Sequence, residues 1–188
     1  AYGSRAVLVD AGAYAKGDAR NHTSLCELLS KHGLLPPDLT KTNDIPSVLA
    51  ACGGEYHTQG LLSWRELPSE SVDFVFSQAV MEHICKRDFL ATLRECFRVV
   101  KPGGIASHRV DLRDHLGGAL NNLRLREQIW ESNFFTRSGF YTNRISYRIM
   151  MDLFCESGWQ IENVSAQHWS ELPTAQEPQP PQQPLPED

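Results

Sequence analysis

The sequence lacks several features that would assign it quickly. Its five cysteines, Cys26, Cys52, Cys85, Cys96 and Cys155, are odd in number and form no CxxC pair. That excludes a disulfide framework and a thiolate zinc site, and it suits a reducing compartment. No run approaches the roughly 18 apolar residues of a membrane span, and no basic-then-apolar leader is present. The expected setting is therefore cytoplasmic, with no membrane partner. Basic residues are also in deficit, 18 Lys and Arg against 23 Asp and Glu for a net charge of −5. Such a chain has no broad attraction for phosphate backbones, so nucleic acid is not an expected partner. The local basic stretch around Arg124 and Arg126 reads as a solvated helix face. No internal repeat occurs. Only AYGS stands before the first strand-like run, and it holds no glycine-rich loop.

What is present is ordinary for a globular protein: 188 residues, 41% hydrophobic and 22% charged. That is enough for one domain with a sizeable core. Composition changes at Leu172. The stretch from 173 to 188 is rich in proline and glutamine, cannot offset its ordering entropy, and reads as a disordered tail. Residues 1–172 then form the folded part.

Within it, Ala6 to Val9 reads as a buried strand ending on Asp10. NHTSLCELLSKHG reads as a helix, with Ser24 and Glu27 as a capping box and Gly33 as the stop. Pro36 and Pro37 make a loop. SVLAACGG is a short helix closed by glycines, and EYHTQG a weak strand ending near Gly60. Val72 to Ser77 is the clearest strand. RDFLATLRECFRVV places Phe89, Leu90, Leu93, Phe97 and Val100 on one helical face, with Asp88 as N-cap. KPGG makes a turn and IASHRV returns as a strand. Further on, ALNNLRLREQIWE is expected to be an amphipathic helix and FFTRSGFYTNR a loop. SYRIMMDLFCESG runs as a helix from Ser146 to a Gly158 stop, and WQIENVS follows as a strand. Strand and helix alternating at such intervals imply βαβ crossovers, hence an α/β fold with a mostly parallel sheet.

Ligands in such sheets bind beyond the carboxyl ends of the strands. The candidate site residues are thus Asp10 and Ala11, then Gly60, Leu61 and Leu62, then Ser77, Gln78 and Ala79, then the segment from His108. Asp10 can accept hydrogen bonds from both hydroxyls of a ribose, or cap a turn. Gly60 admits a flat base to the backbone, or is a turn glycine. Ser77 and Gln78 hold polar ends of a ligand, or end a strand. SHRVDLRDH gathers His108, Arg109, Asp111, Asp114 and His115, a set suited to acid–base work or to a metal. Its spacing matches no metal motif, so no metal is expected. Glu82 and His83 open a short helix.

In order, LPSESVDFVFSQAVMEHI, LRECFRVVKPGG and GFYTNRI…FCESGW resemble class I S-adenosylmethionine-dependent methyltransferases. The likeness is to bacterial domains whose fourth strand reads D-x-x-x-S-x-x-V-x-E-H. It covers roughly Ser4 to Leu172. The resemblance implies a Rossmann-like, doubly wound sheet with helices on both faces and S-adenosylmethionine as cofactor. By position it assigns Asp10 to the ribose, Leu61 and Leu62 to the adenine, and Ser77, Gln78 and Ala79 to the methionine portion. The family often has an acid where Leu61 stands, so backbone contacts would have to serve the adenine. Asp111, Asp114 and His115 fall on the acceptor side, and Asp111 or His115 is the expected base.

Relative to that family, Ala6–Val9 looks like the second strand, and the first strand with its glycine loop has no counterpart. A proline-glutamine tail stands where relatives continue to a final antiparallel strand. The expectation is a sheet incomplete at both ends, open to self-association through unpaired edges, with weak cofactor binding by the chain alone. The expected function is methyl transfer to a small-molecule or glycosidic acceptor. The competing reading is a non-catalytic, methyltransferase-like domain acting through protein association. A nicotinamide-dependent enzyme fits less well, since no Tyr-x-x-x-Lys pair follows.

Overall fold

A computed structural model of the chain describes residues 5–15, 19–40, 42, 44–117 and 120–170. The proline-glutamine segment from 173 lies outside them. The chain divides into two compact units, Ala1–Pro68 and Ser69–Asp188.

In the first unit, β1 (Ala6–Val9) and β2 (Gly54–His57) run parallel, from Ala6 opposite Gly54 to Val9 opposite His57. Parallel strands need a long crossover, and here it contains α1 (Ala19–Lys31) and α2 (Ile45–Ala51). Gly33, at φ 70°, stops α1: its N–H reaches the Ser30 carbonyl at 3.0 Å, and that of Leu34 the Leu29 carbonyl at 2.9 Å. This is the double bond of a Schellman closure. The expected Ser24 cap is overridden, because α1 begins at Ala19 and Ser24 lies inside it. No glycine or proline between Ala19 and Ser24 interrupts the upstream turn. Asp44 caps α2, accepting from the Ser47 N–H at 2.8 Å while Ser47 Oγ accepts from the Asp44 N–H at 3.3 Å. Beyond β2, α3 (Leu61–Glu66) starts directly on Gly60.

The second unit repeats the pattern with β3 (Val72–Gln78), the crossover helix α4 (Lys86–Val99) and parallel β4 (Val100–Arg109). The KPGG stretch is not a separate turn but part of β4, where it forms a bulge. Val72 faces Val100 and Phe74 already faces Ile105. At Gly104 any Cβ would sit 2.6 Å from Val100 Cγ1 and 2.9 Å from the Asp73 carbonyl. Only glycine closes this bulge. Asp88 is not the N-cap of α4, which is Cys85. It lies in the first turn, where a carboxylate still complements the helix dipole.

Phe89, Leu93, Cys96 and Val99 are the buried apolar stripe of α4, and Phe97 lies outside it. The core joins Phe89 and Leu93 to Met81, Ile145, Met150 and Phe154, the last two from α7 (Tyr147–Glu156). Ser146 precedes α7 and Gly158, at φ 103°, follows its C-cap. A Cβ on Gly158 would lie 2.9 Å from the Phe97 ring. Phe97 in turn meets Trp159 edge to face at 5.3 Å.

Two further expectations fail in this unit. The predicted helix across 119–131 is broken into a 3₁₀ turn at Asn121–Arg124 and α5 (Glu127–Trp130), with α6 (Asn133–Thr136) just after. The fully buried Trp130 dictates the break: its Nε1 donates to the Thr142 carbonyl at 2.6 Å, and Arg144 lies 5.4 Å over its ring. Residues 159–169 form no strand. Alternation alone cannot make one, because a strand exists only against a hydrogen-bonded neighbour.

Candidate functional site

β1, β3 and β4 end within about a residue of the expected positions, whereas β2 ends at His57, three residues before Gly60. In the first unit, the Asp10 N–H donates to the His57 carbonyl at 2.9 Å, and the Asp10 carbonyl accepts from the Gly60 N–H at 2.8 Å. Asp10, Ala11 and Gly60 are thereby brought together. Gly60 has φ 55° and ψ −124°, with Ala11 Cα 3.6 Å from where its Cβ would be. Such dihedrals belong to glycine. The Asp10 carboxylate accepts from the Ala11 N–H at 2.7 Å through Oδ1 and from the Tyr56 hydroxyl at 3.1 Å through Oδ2. Each oxygen keeps further acceptor capacity. The Tyr56 hydroxyl also lies 3.1 Å from the Gly12 carbonyl and accepts from the Ala15 N–H at 3.2 Å. Sequence reasoning missed Tyr56, which reaches the β1 end only through the pairing of β1 with β2, where it stands opposite Leu8.

In the second unit, Ser77 and Gln78 close β3 opposite His108 and Arg109. Ala79 then turns the chain with φ 52°, its N–H held by the Arg109 carbonyl at 2.8 Å. Left-handed alanine costs about 1 kcal/mol or more, so this turn is imposed by its surroundings. Ser77 Oγ lies 2.8 Å from His108 Nδ1, and the ring meets Phe154 at 5.5 Å. Burial pushes the His108 imidazole down to about 4.

The candidate bases lie beyond β4. Arg113 grips Asp111 through both carboxylate oxygens, and its hydrogen bonds hold that carboxyl far below the usual range. A carboxylate so stabilised is a poor proton acceptor. His115 lies 3.8 Å from Asp111 and is half-buried. Asp114 has a different task. Buried, it accepts from the backbone N–H groups of Leu116, Asn121 and Asn122, which shapes the loop.

Around this loop sits a set of residues that strand-end logic did not single out. Asn143, 1% exposed, donates to the Met81 and Ile84 carbonyls at 2.9 and 3.1 Å, while its own N–H reaches the Glu82 carbonyl at 2.7 Å. These bonds fix the 3₁₀ turn Met81–His83 after β3. Glu82 accepts from the Asp111 N–H at 3.1 Å. The His83 and His115 rings lie 5.0 Å apart.

Residues 22–107 match the model of a family described as a methyltransferase domain. Over this segment the chain is similar to that family, whose members generally use S-adenosylmethionine. The match runs from α1 almost to the end of β4 and covers slightly less than half of the chain. Of the candidate residues, the matched segment contains Gly60, Leu61, Leu62, Ser77, Gln78 and Ala79. Asp10 and Ala11 precede it, and Asp111 and His115 follow it. No curated protein matches the chain. No helix among the described residues is long and apolar enough to cross a membrane.

Proposed function

We propose that the chain transfers a methyl group from S-adenosylmethionine to a small-molecule or glycosidic acceptor. The observation that carries this reading is the methyltransferase-domain match over residues 22–107, which takes in β2, β3 and most of β4. The spare acceptor capacity of Asp10 fits a ribose, and the glycine-only backbone at Gly60 fits a base lying close to the main chain, with Leu61 and Leu62 flanking it. Ser77, Gln78 and Ala79 are assigned to the methionine portion.

The cofactor supplies an electrophilic methyl on a sulfonium. Held there, that methyl would pass to an electron pair of the acceptor atom, and the electrons of the broken carbon–sulfur bond would remain on sulfur. The residues mainly align the partners, which is where most of the acceleration in such a displacement originates. A proton leaves the acceptor. Since Arg113 engages Asp111, we assign that proton to His115, with Asp111 orienting the ring.

Calorimetric titration of the folded chain with S-adenosylhomocysteine and with NAD tests this reading. Saturable heat with the first and none with the second supports it. Heat with NAD alone, or with neither, overturns it.

A second reading, a domain that acts by association, rests on one face of the β3–β4 sheet. Phe74, Phe76 and Ile105 are exposed there. Sedimentation separates the two readings: a concentration-dependent oligomer without S-adenosylhomocysteine binding favours association.

A further inference from the structure

Glu82, His83 and His115 bring one ligand atom each to within 4.8 Å of one another. We propose that they bind a first-row divalent cation of the Zn²⁺ or Co²⁺ class. The inference rests on these side chains and not on the methyl-transfer reading.

Glu82 is 1% exposed, yet its Oε2 is buried with no hydrogen-bond partner among the described residues. An unpartnered carboxylate oxygen is expensive to bury, and a cation is its natural counterpart. Its other oxygen is oriented by the Asp111 N–H. His83 Nδ1 lies 2.7 Å from the Tyr141 carbonyl. A carbonyl only accepts, so Nδ1 carries the hydrogen and Nε2 presents its lone pair. An imidazole whose far nitrogen donates to a backbone carbonyl is the usual state of a histidine ligand. Asp111, 3.8 Å from His115 Nε2, lies near enough to support the third ligand.

The donor set selects the ion. Two imidazoles and one carboxylate suit Zn²⁺, Co²⁺ and their neighbours, whereas Mg²⁺ and Ca²⁺ prefer oxygen alone. Tetrahedral ligation at 2.0–2.2 Å puts ligand atoms about 3.4 Å apart, so the three side chains close in by about 1 Å or a little more. Three protein ligands leave a coordination position for water or for an acceptor oxygen, as in catalytic rather than structural sites. With the ion bound, the His115 lone pair is committed to it and meets the acceptor only through the metal.

The spacing of these residues hides the site. Glu82 and His83 are adjacent on one turn, while His115 arrives from the loop after β4, and no local motif joins them.

Chelator-treated full chain, titrated with Co²⁺ and followed by visible absorption, tests the proposal. One ion per chain is expected, with intense low-coordinate bands, displacement by Zn²⁺, and none by a tenfold excess of Mg²⁺. His83→Ala and His115→Ala should each weaken binding at least about 10-fold, and His22→Ala should not. Should His83→Ala fail to fold, His115→Ala carries the test, since that ring is half-buried on a loop. Absence of saturable binding by the folded chain, or undiminished binding by folded His115→Ala, would overturn it. Either result leaves S-adenosylhomocysteine binding unaffected, so it does not bear on the methyl-transfer reading.

Discussion

The two units are built to the same plan, a parallel strand pair bridged by helix, yet among the described residues only one of them buries apolar side chains. All the buried apolar side chains of the described residues, from Val75 to Phe154, belong to Ser69–Asp188. Among the described residues of Ala1–Pro68 the one buried side chain is Ser63, and Leu25, Leu28 and Leu35 are exposed. Parallel strand pairing is thus present in both units. Apolar burial, the dominant favourable term in folding, is concentrated in one. Regular secondary structure and stability are separable, and this chain separates them.

The largest expected effect is a contrast between two truncations. Phe89→Ala, at a fully buried site, should cost about 3–5 kcal/mol in chemical denaturation. Leu25→Ala, on the exposed side of α1, should change stability by less than about 0.5 kcal/mol. Comparable losses would mean that the first unit has a core after all.

His108 sharpens the comparison through pH. Its folded value of about 4 lies below the ordinary 6.5, so between them the unfolded chain takes up a proton that the folded chain refuses. The His108 contribution to stability should therefore fall as pH drops from 6.5 to 4, by up to about 3 kcal/mol, and level off below. His108→Gln should remove that slope. A slope that survives the substitution would place the titrating group elsewhere.

In the first unit the effects should be smaller and local. Tyr56→Phe removes the hydroxyl that joins Asp10, Gly12 and Ala15. About 0.5–1.5 kcal/mol of local stability should go with it, seen as faster amide exchange at Ala15 with Val75 unchanged. Exchange that accelerates equally at both sites would contradict the separation of the units.

Much of this was legible in the sequence. β1 and β3 announce themselves by β-forming runs bounded by turn residues, and Gly33 and Gly158 mark helix ends because only glycine adopts those φ values cheaply. Other features depend on distant partners. The Ser24–Glu27 pair looks like a cap only until the upstream turn is seen to continue. KPGG reads as a turn, yet it is absorbed into β4 because Asp73 and Val100 crowd Gly104. WQIENVS alternates properly but has no neighbour to pair with. Asp10, Gly60 and Ser77 were found by strand-end logic, which is local. Tyr56, Asn143 and the approach of His115 to His83 are tertiary, and no periodicity encodes them.

The central proposal is that these strand ends bind S-adenosylmethionine. Amide chemical shifts of the isotopically labelled chain, titrated with S-adenosylhomocysteine, test it most directly. The account predicts saturable shifts centred on Asp10, Gly60–Leu62 and Ser77–Ala79, abolished or strongly weakened by Asp10→Ala. No saturable shift in a folded chain, or shifts confined to residues away from those strand ends, would contradict it.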